Sequence, residues 1–284
     1  MHTANPRRRH GRLLGGALAA VALVAGLGTG PAQANPVTAK PADVYVALGD
    51  SYAAGTGGSS PAPASLPACH QSLDGYPALL GGLNLGCFGA TSLSVKAGLD
   101  NLAPTDPAAI ALGSATEVSV TVGGNDVGTG AVAVACTSGD ALACASAVQN
   151  VGNALPALPG NIVALVQSIR QKAPNADIVL TGYPRLFTVG PKMPPTQKQL
   201  ATTLNGMADQ LNATIAGAAS AAGVGYVSVT ERFTGHGIGS NNPWIHYTQP
   251  SPLDPPALAL ENFHPNDAGY SQGYRTAVNS ALKK

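Results

Sequence analysis

Short apolar runs rich in β-branched residues alternate along the chain with longer Ala/Leu-rich segments of helical period. The runs fall at residues 44–48, 83–88, 118–122, 177–180 and 224–229. Continuous apolar runs of this length suit strands buried on both faces. Their alternation with helical segments predicts an α/β fold: a three-layer α/β/α sandwich around a central, mostly parallel sheet of about five strands. Residues 161–172 and 197–222 are predicted helices, the first with Ile162, Leu165, Val166 and Ile169 on one face, as expected for a helix packed on the sheet. A last helix is predicted over residues 267–282, with Asn266 placed to cap it. Residues 56–76, rich in Gly, Ser and Pro, and residues 232–262, rich in Gly, Asn and Pro, read as long loops. Long ordered loops in a compact domain are often functional.

The amino-terminal 34 residues break this pattern. Arg7, Arg8, Arg9 and Arg12 precede an apolar run over residues 13–27, and Ala32-Gln33-Ala34 follows as a small-residue cleavage site. Residues 1–34 therefore read as a secretory signal peptide, and the protein as secreted and extracellular. The run is short for a membrane span, contains Gly15, Gly16 and Gly26, and ends in Gly28-Thr29-Gly30-Pro31. Residues 35–284 remain, enough for one α/β domain with a sizeable core. Loss of four arginines and no acidic residue moves the formal net charge from +1 to −3. That balance argues against nucleic acid as a partner. A monomer is the default expectation.

Export changes the reading of the four cysteines, because disulfides persist outside the cytoplasm. Of the three possible pairings, the sequence-local one, Cys69–Cys87 with Cys136–Cys144, is favoured. Each bridge would close a short Gly/Pro/Ser-rich or Ala-rich stretch and contribute about 2–3 kcal/mol by loop entropy. No Cys or His cluster has zinc-ligand spacing, so no metal site is expected.

Polar residues just beyond the strands of a parallel sheet stand at the edge where ligands bind. Gly49-Asp50-Ser51 follows the first predicted strand, Gly89-Ala90-Thr91 the second and Gly123-Gly124-Asn125-Asp126 the third. A turn opening at Ser51 would aim free N–H groups at its side chain, a setting that favours developing negative charge. Asp50 or Ser51 could equally be a plain helix cap. Asn125 offers an uncharged donor of the kind acyl transfer needs, although Gly-Asn-Asp alone also makes an ordinary turn. A serine nucleophile needs a neighbouring base. Of His70, His236, His246 and His264, only His264 has a defined setting, between Phe263 and Pro265 just before the last helix. The other three lie in the two long loops, where a solvent-facing or locally bonded histidine is expected.

Together these segments resemble the SGNH hydrolases, the GDSL-type esterases and lipases, and within them the secreted actinobacterial lipases, esterases and phospholipases. Gly49-Asp50-Ser51 is similar to the first block of that family, Gly89 to the second, Gly123-x-Asn125-Asp126 to the third and His264 to the fifth, in order across nearly the whole mature domain. Gly182-Tyr183-Pro184-Arg185 and Pro243-Trp244 extend the likeness. The resemblance implies a flavodoxin-like sandwich and no cofactor. It further implies Ser51 as nucleophile, His264 as general base, and an oxyanion hole from the N–H groups of Ser51 and Gly89 with the Asn125 amide. Two departures stand out. Where the family often has Asp three residues before the histidine, this chain has Glu261, so His264 is oriented either by Glu261 or by the main-chain carbonyl of Asn262. The secreted relatives commonly carry six cysteines, and Gly239 stands where one often does, which implies a less constrained late loop and lower thermal tolerance.

The expected substrate is a small-molecule or lipid ester, fatty acyl esters and phospholipids included, with transient contact with lipid interfaces. The alternatives are a carbohydrate acetyl esterase acting on polysaccharide and a catalytically silent binding protein on the same scaffold.

Overall fold

Each predicted apolar run forms a strand, and the five strands lie side by side in one sheet. The computed structural model describes residues 43–63, 66–248 and 260–282. The expected signal peptide lies outside the described residues, as do positions 249–259 of the late loop. The strands are β1 (Tyr45–Gly49), β2 (Leu83–Gly86), β3 (Glu117–Thr121), β4 (Asp177–Thr181) and β5 (Gly225–Val227). Every pairing is parallel and the order is β2-β1-β3-β4-β5. This is the flavodoxin-like order, in which the chain reverses direction across the sheet between β1 and β3 and leaves a crevice at the carboxyl ends of those strands.

The helices follow in chain order. Helix α1 spans Ser51–Ala54, α2 Tyr76–Leu79, α3 Ser92–Asp100, α4 Pro107–Ser114 and α5 Gly124–Val127. Helix α6 spans Thr129–Thr137, α7 Ala141–Ala154, α8 Leu158–Lys172, α9 Pro195–Ala222 and α10 Arg275–Leu282. Both α8 and α9 start with proline in the first turn, where the missing N–H has no intrahelical acceptor to lose. The predicted helix over residues 267–282 needs one correction: its middle, Gly269–Tyr274, is a π-helix, and the regular turn resumes at Arg275. Two buried anchors act there that sequence periodicity does not report. Tyr270 Oη donates to the Thr56 carbonyl at 2.7 Å and Tyr274 Oη to the Gly182 carbonyl at 2.9 Å. Asn266 Oδ1 accepts the Gly269 N–H at 3.0 Å, as a cap should.

Alternation along the strands sends side chains to two different cores. On one face Val46, Leu48, Val118 and Val120 pack with Leu112, Ile162, Leu165, Val166 and Ile215. Tyr45 and Ala47 point the other way, into a core with Tyr76, Phe233, Trp244, Tyr270 and Tyr274. The second core is aromatic because that face of β3 and β4 carries hydroxyls that must be satisfied. Tyr45 Oη meets Ser119 Oγ at 2.7 Å, Tyr76 Oη meets Thr121 Oγ1 at 2.8 Å, and Thr121 Oγ1 meets Thr181 Oγ1 at 2.6 Å. Disulfides join Cys69 to Cys87 and Cys136 to Cys144. The first ties the early loop to the exit of β2, and the second closes the α6–α7 hairpin.

Candidate active site

The turn after β1 is forced by close backbone contact. Gly49 has φ +133°, and a Cβ there would collide with the Thr121 carbonyl, which accepts the Asp50 N–H at 2.8 Å. The chain turns directly into α1, with Asp50 extended at the N-cap and its Oδ1 accepting the Tyr52 N–H at 2.9 Å. Ser51 is the first residue of that helix, so its N–H has no intrahelical acceptor. The serine is buried, with its side chain directed into the crevice.

His264 stands across from it. Its Nε2 lies 2.7 Å from Ser51 Oγ, and its Nδ1 lies 3.0 Å from the main-chain carbonyl of Asn262. Donation from Nδ1–H to that carbonyl leaves Nε2 free to accept the serine proton. Glu261 is exposed, and its contact with the histidine is through the main chain, its carbonyl accepting the His264 N–H at 3.0 Å. The carbonyl of Asn262 is itself held, because the Asn262 amide pairs with Thr248 N–H at 2.7 Å and Thr248 O at 3.0 Å. Phe263 then takes φ +66°, and its carbonyl accepts the Tyr52 hydroxyl. His246 fixes the other side, exchanging main-chain bonds with Phe263 and His264 while its Nε2 meets the Gly57 carbonyl at 2.8 Å. Burial pulls the His264 imidazole down to about 4, the Asn262 carbonyl opposes the shift, and nearby His246 adds slightly to it.

The second and third sequence segments lock to each other beside Ser51. Asn125 Nδ2 donates one hydrogen to the Ala90 carbonyl at 2.9 Å, which leaves the other available. Asp126 accepts the Ser92 N–H at 2.9 Å and the Ser92 hydroxyl, anchoring the start of α3. Ser51, Gly89, Asn125 and His264 all border one cavity of about 310 Å³. Its walls run away from Ser51 between α6 and α9 and are largely apolar, with Phe88, Val132, Leu204, Met207, Leu211 and Leu260 among them.

Residues 47–272 match the GDSL-like lipase/acylhydrolase family. The chain belongs to that family. Lipase 1 of Streptomyces coelicolor is 33% identical over 94% of this chain and 97% of its own length. Among solved structures, the extracellular lipase of Streptomyces rimosus superposes with a TM-score of 0.72 at 30% identity, covering 84% of this chain and all of that one. Phospholipase A1 of Streptomyces albidoflavus gives a TM-score of 0.71 at 31% identity, covering 84% of this chain and 98% of that one. As a member of the GDSL-like family the protein is a carboxylic-ester hydrolase.

Four of the site residues predicted from the sequence therefore meet at one cavity, and the Glu261 carboxylate is not among the groups at the His264 ring. The expectation for the loop histidines needs revising in one case. His70 is exposed, its ring edge-on to Phe88, and His236 stacks on Trp244. His246 is half-buried and its ring is not locally bonded, since it reaches Gly57 far along the chain. Sequence reasoning also missed Tyr52, the Asn262 side chain and the second role of Asp50. Beyond capping α1, the Asp50 carboxylate receives the Tyr183 hydroxyl. Burial raises its pKa to about 7 against the pull of those hydrogen bonds. Among the described residues no group of three or more His, Cys, Asp or Glu is placed to hold a metal.

Proposed function

We propose that the protein is a secreted lipase or esterase that hydrolyses fatty acyl esters, phospholipids included, through a Ser51 acyl-enzyme. The observation that carries this reading is the Ser51–His264 hydrogen bond of 2.7 Å at the end of an apolar cavity. His264 Nε2 takes the hydroxyl proton as Ser51 Oγ attacks the ester carbonyl, and the N–H groups of Ser51 and Gly89 with the Asn125 amide receive the oxyanion. Collapse expels the alkoxide, which leaves as the alcohol by taking that proton from His264. A water activated by the same imidazole then releases the acid. The Asn262 carbonyl serves as the orienter of His264.

The wall composition favours an acyl chain over a bare acetyl group, which would leave most of the groove unfilled. On a panel of p-nitrophenyl esters, kcat/KM should be greater for medium chains than for acetate; a sharp preference for acetate would instead select the sugar esterase reading. Phe88, Val134 and Leu260 line the cavity and are partly exposed at 36%, 47% and 41%, which supports transient contact with a lipid surface during substrate entry. The two disulfides and the composition of residues 1–34 support export.

Two further outcomes follow from the His264 setting. With the carbonyl as orienter, Glu261→Ala should change kcat by at most a few-fold, whereas a carboxylate in that role would be worth about 10³–10⁴. Steady-state kinetics on the variant separates the two. The base must be unprotonated, so kcat/KM should rise with pH through about 4, the value to which burial lowers the imidazole, and level off above it. An acid limb at the ordinary histidine value near 6.5 would contradict that burial. A limb near 7 that vanishes in Asp50→Asn would belong to Asp50.

A further inference from the structure

The turns that carry Ser51 and Asn125 are joined by a phenol that takes no part in acyl transfer. The Tyr183 hydroxyl donates to Asp50 Oδ2 and accepts the Gly124 N–H at 3.1 Å. Asp50 is the N-cap of the helix that begins with Ser51, and Gly124 immediately precedes Asn125. One oxygen therefore bridges the nucleophile turn and the turn of the amide donor.

The phenol is also fixed from behind. Tyr183 N–H donates to Asn212 Oδ1 and Asn212 Nδ2 donates to the Tyr183 carbonyl, both at 2.8 Å. On the preceding residue, the Gly182 carbonyl accepts Tyr274 Oη at 2.9 Å. A Cβ on Gly182 would collide with Tyr226 Oη and stand 2.8 Å from Asn212 Oδ1, so the backbone is pressed against α9. The ring meets Tyr52 edge-on at 5.1 Å, and Tyr183 and Asp50 are only 7% and 2% exposed. Burial pushes the phenol well above its ordinary value, so it stays a neutral donor. A buried acid–phenol pair gives a fold little that apolar residues of the same shape could not supply. What it does supply is geometry.

We infer that Tyr183 is a positioning residue for ester hydrolysis, whose hydroxyl sets the placement of the Asn125 amide relative to Ser51 Oγ and which acts through Asn125. The inference rests on Asn125 being an oxyanion donor. Such donors act at 2.7–3.1 Å from the developing oxyanion, and a displacement of about 1 Å can cost about 10²-fold. The ground-state carbonyl is less demanding, so the effect belongs in kcat rather than KM.

The test is a double-mutant cycle on a water-soluble p-nitrophenyl ester, well below the melting temperature and normalised to folded protein by circular dichroism. Tyr183→Phe keeps the ring and removes both hydrogen bonds. It should lower kcat by about 10–100-fold with KM within about two-fold. Combined with Asn125→Ala, it should cost no more than Asn125→Ala alone, because the residue it positions is gone. A merely structural Tyr183 would lower the melting temperature and leave kcat within about three-fold, or its loss would multiply with that of Asn125→Ala; either result overturns the inference. If Asn125→Ala by itself leaves kcat unchanged, the oxyanion reading falls and takes this inference with it. If only Tyr183→Phe is silent, the oxyanion reading stands. Should Tyr183→Phe fail to fold, Asp50→Asn keeps an acceptor for Tyr52 N–H but faces the phenol with a donor. It should show the same kcat loss, again without multiplying with Asn125→Ala, and a multiplicative loss there also overturns the inference.

Discussion

Ser51→Ala is expected to lower ester hydrolysis by on the order of 10⁴–10⁶, the range seen when a serine hydrolase loses its nucleophile. In the proposed mechanism the Ser51 oxygen is the reacting atom, and its activation depends on the 2.7 Å contact with His264 Nε2. Among the described residues no neighbour stands ready to replace either partner. The ring of His246 is committed to the Gly57 carbonyl, and Tyr52 gives its hydroxyl to the Phe263 carbonyl. His264→Ala should therefore cost a similar factor, and the double variant little more than either single one, because the two act as a unit. Removing one oxygen that borders a cavity should leave the melting temperature nearly unchanged, so the loss can be assigned to chemistry. A fluorophosphonate should label the wild type and not Ser51→Ala. Residual activity within about a hundred-fold of wild type, in protein free of contaminating esterase, would remove Ser51 from the nucleophile role.

How much of this site could be read from the chain depends on how far each interaction reaches. The turn at Gly49-Asp50-Ser51 was legible because its constraint is local: a glycine needed beside a neighbouring strand, a capping carboxylate, then a small polar residue at the first helical position. The strands were legible for the same reason, since β-branched runs bounded by glycine or polar residues carry their own signal. Their ends were less so. The run at residues 224–229 yields only Gly225–Val227 as strand, because β5 lies at the sheet edge with a partner on one side alone, and the chain leaves it early. The second role of Asp50 was out of reach, as it depends on a tyrosine 133 positions away. So was the choice of orienter. Spacing places both the Glu261 side chain and the Asn262 carbonyl near His264. In the proposed mechanism what selects between them is the left-handed turn at Phe263, held by the Tyr52 hydroxyl from 211 positions away and by main-chain bonds to His246. Long-range contacts of this kind leave no periodic trace, so the motif segments are legible in the chain and the groups that hold them are not.

Asn125→Ala is expected to reduce kcat by about 10²–10³, the usual loss for one side-chain oxyanion donor. The amide has two hydrogens. One is spent on the Ala90 carbonyl at 2.9 Å, which fixes the group's direction, and the other is, in the proposed mechanism, the one offered to the substrate. The developing charge would then rest on the N–H groups of Ser51 and Gly89, so the loss should be smaller than that of Ser51→Ala. Because the ester carbonyl of the bound substrate carries little charge, KM should move by less than about three-fold, and the effect should lie in the chemical step. Asn125→Asp is the sharper variant. It is nearly isosteric, but it sets a carboxylate against both the Ala90 carbonyl and the incipient oxyanion, so it should cost at least as much as alanine at pH values where that group is ionised. The loss relative to Asn125→Ala should ease as the pH falls through the ordinary carboxylate range; His264, lowered to about 4 by burial, titrates over the same range in both variants, so the ratio of their rates isolates the charge at position 125. Comparing the pH profiles of the alanine and aspartate variants on one soluble ester measures this directly. Matching profiles would mean that the charge at position 125 is not felt by the transition state, and the amide would then have to be moved out of the oxyanion hole.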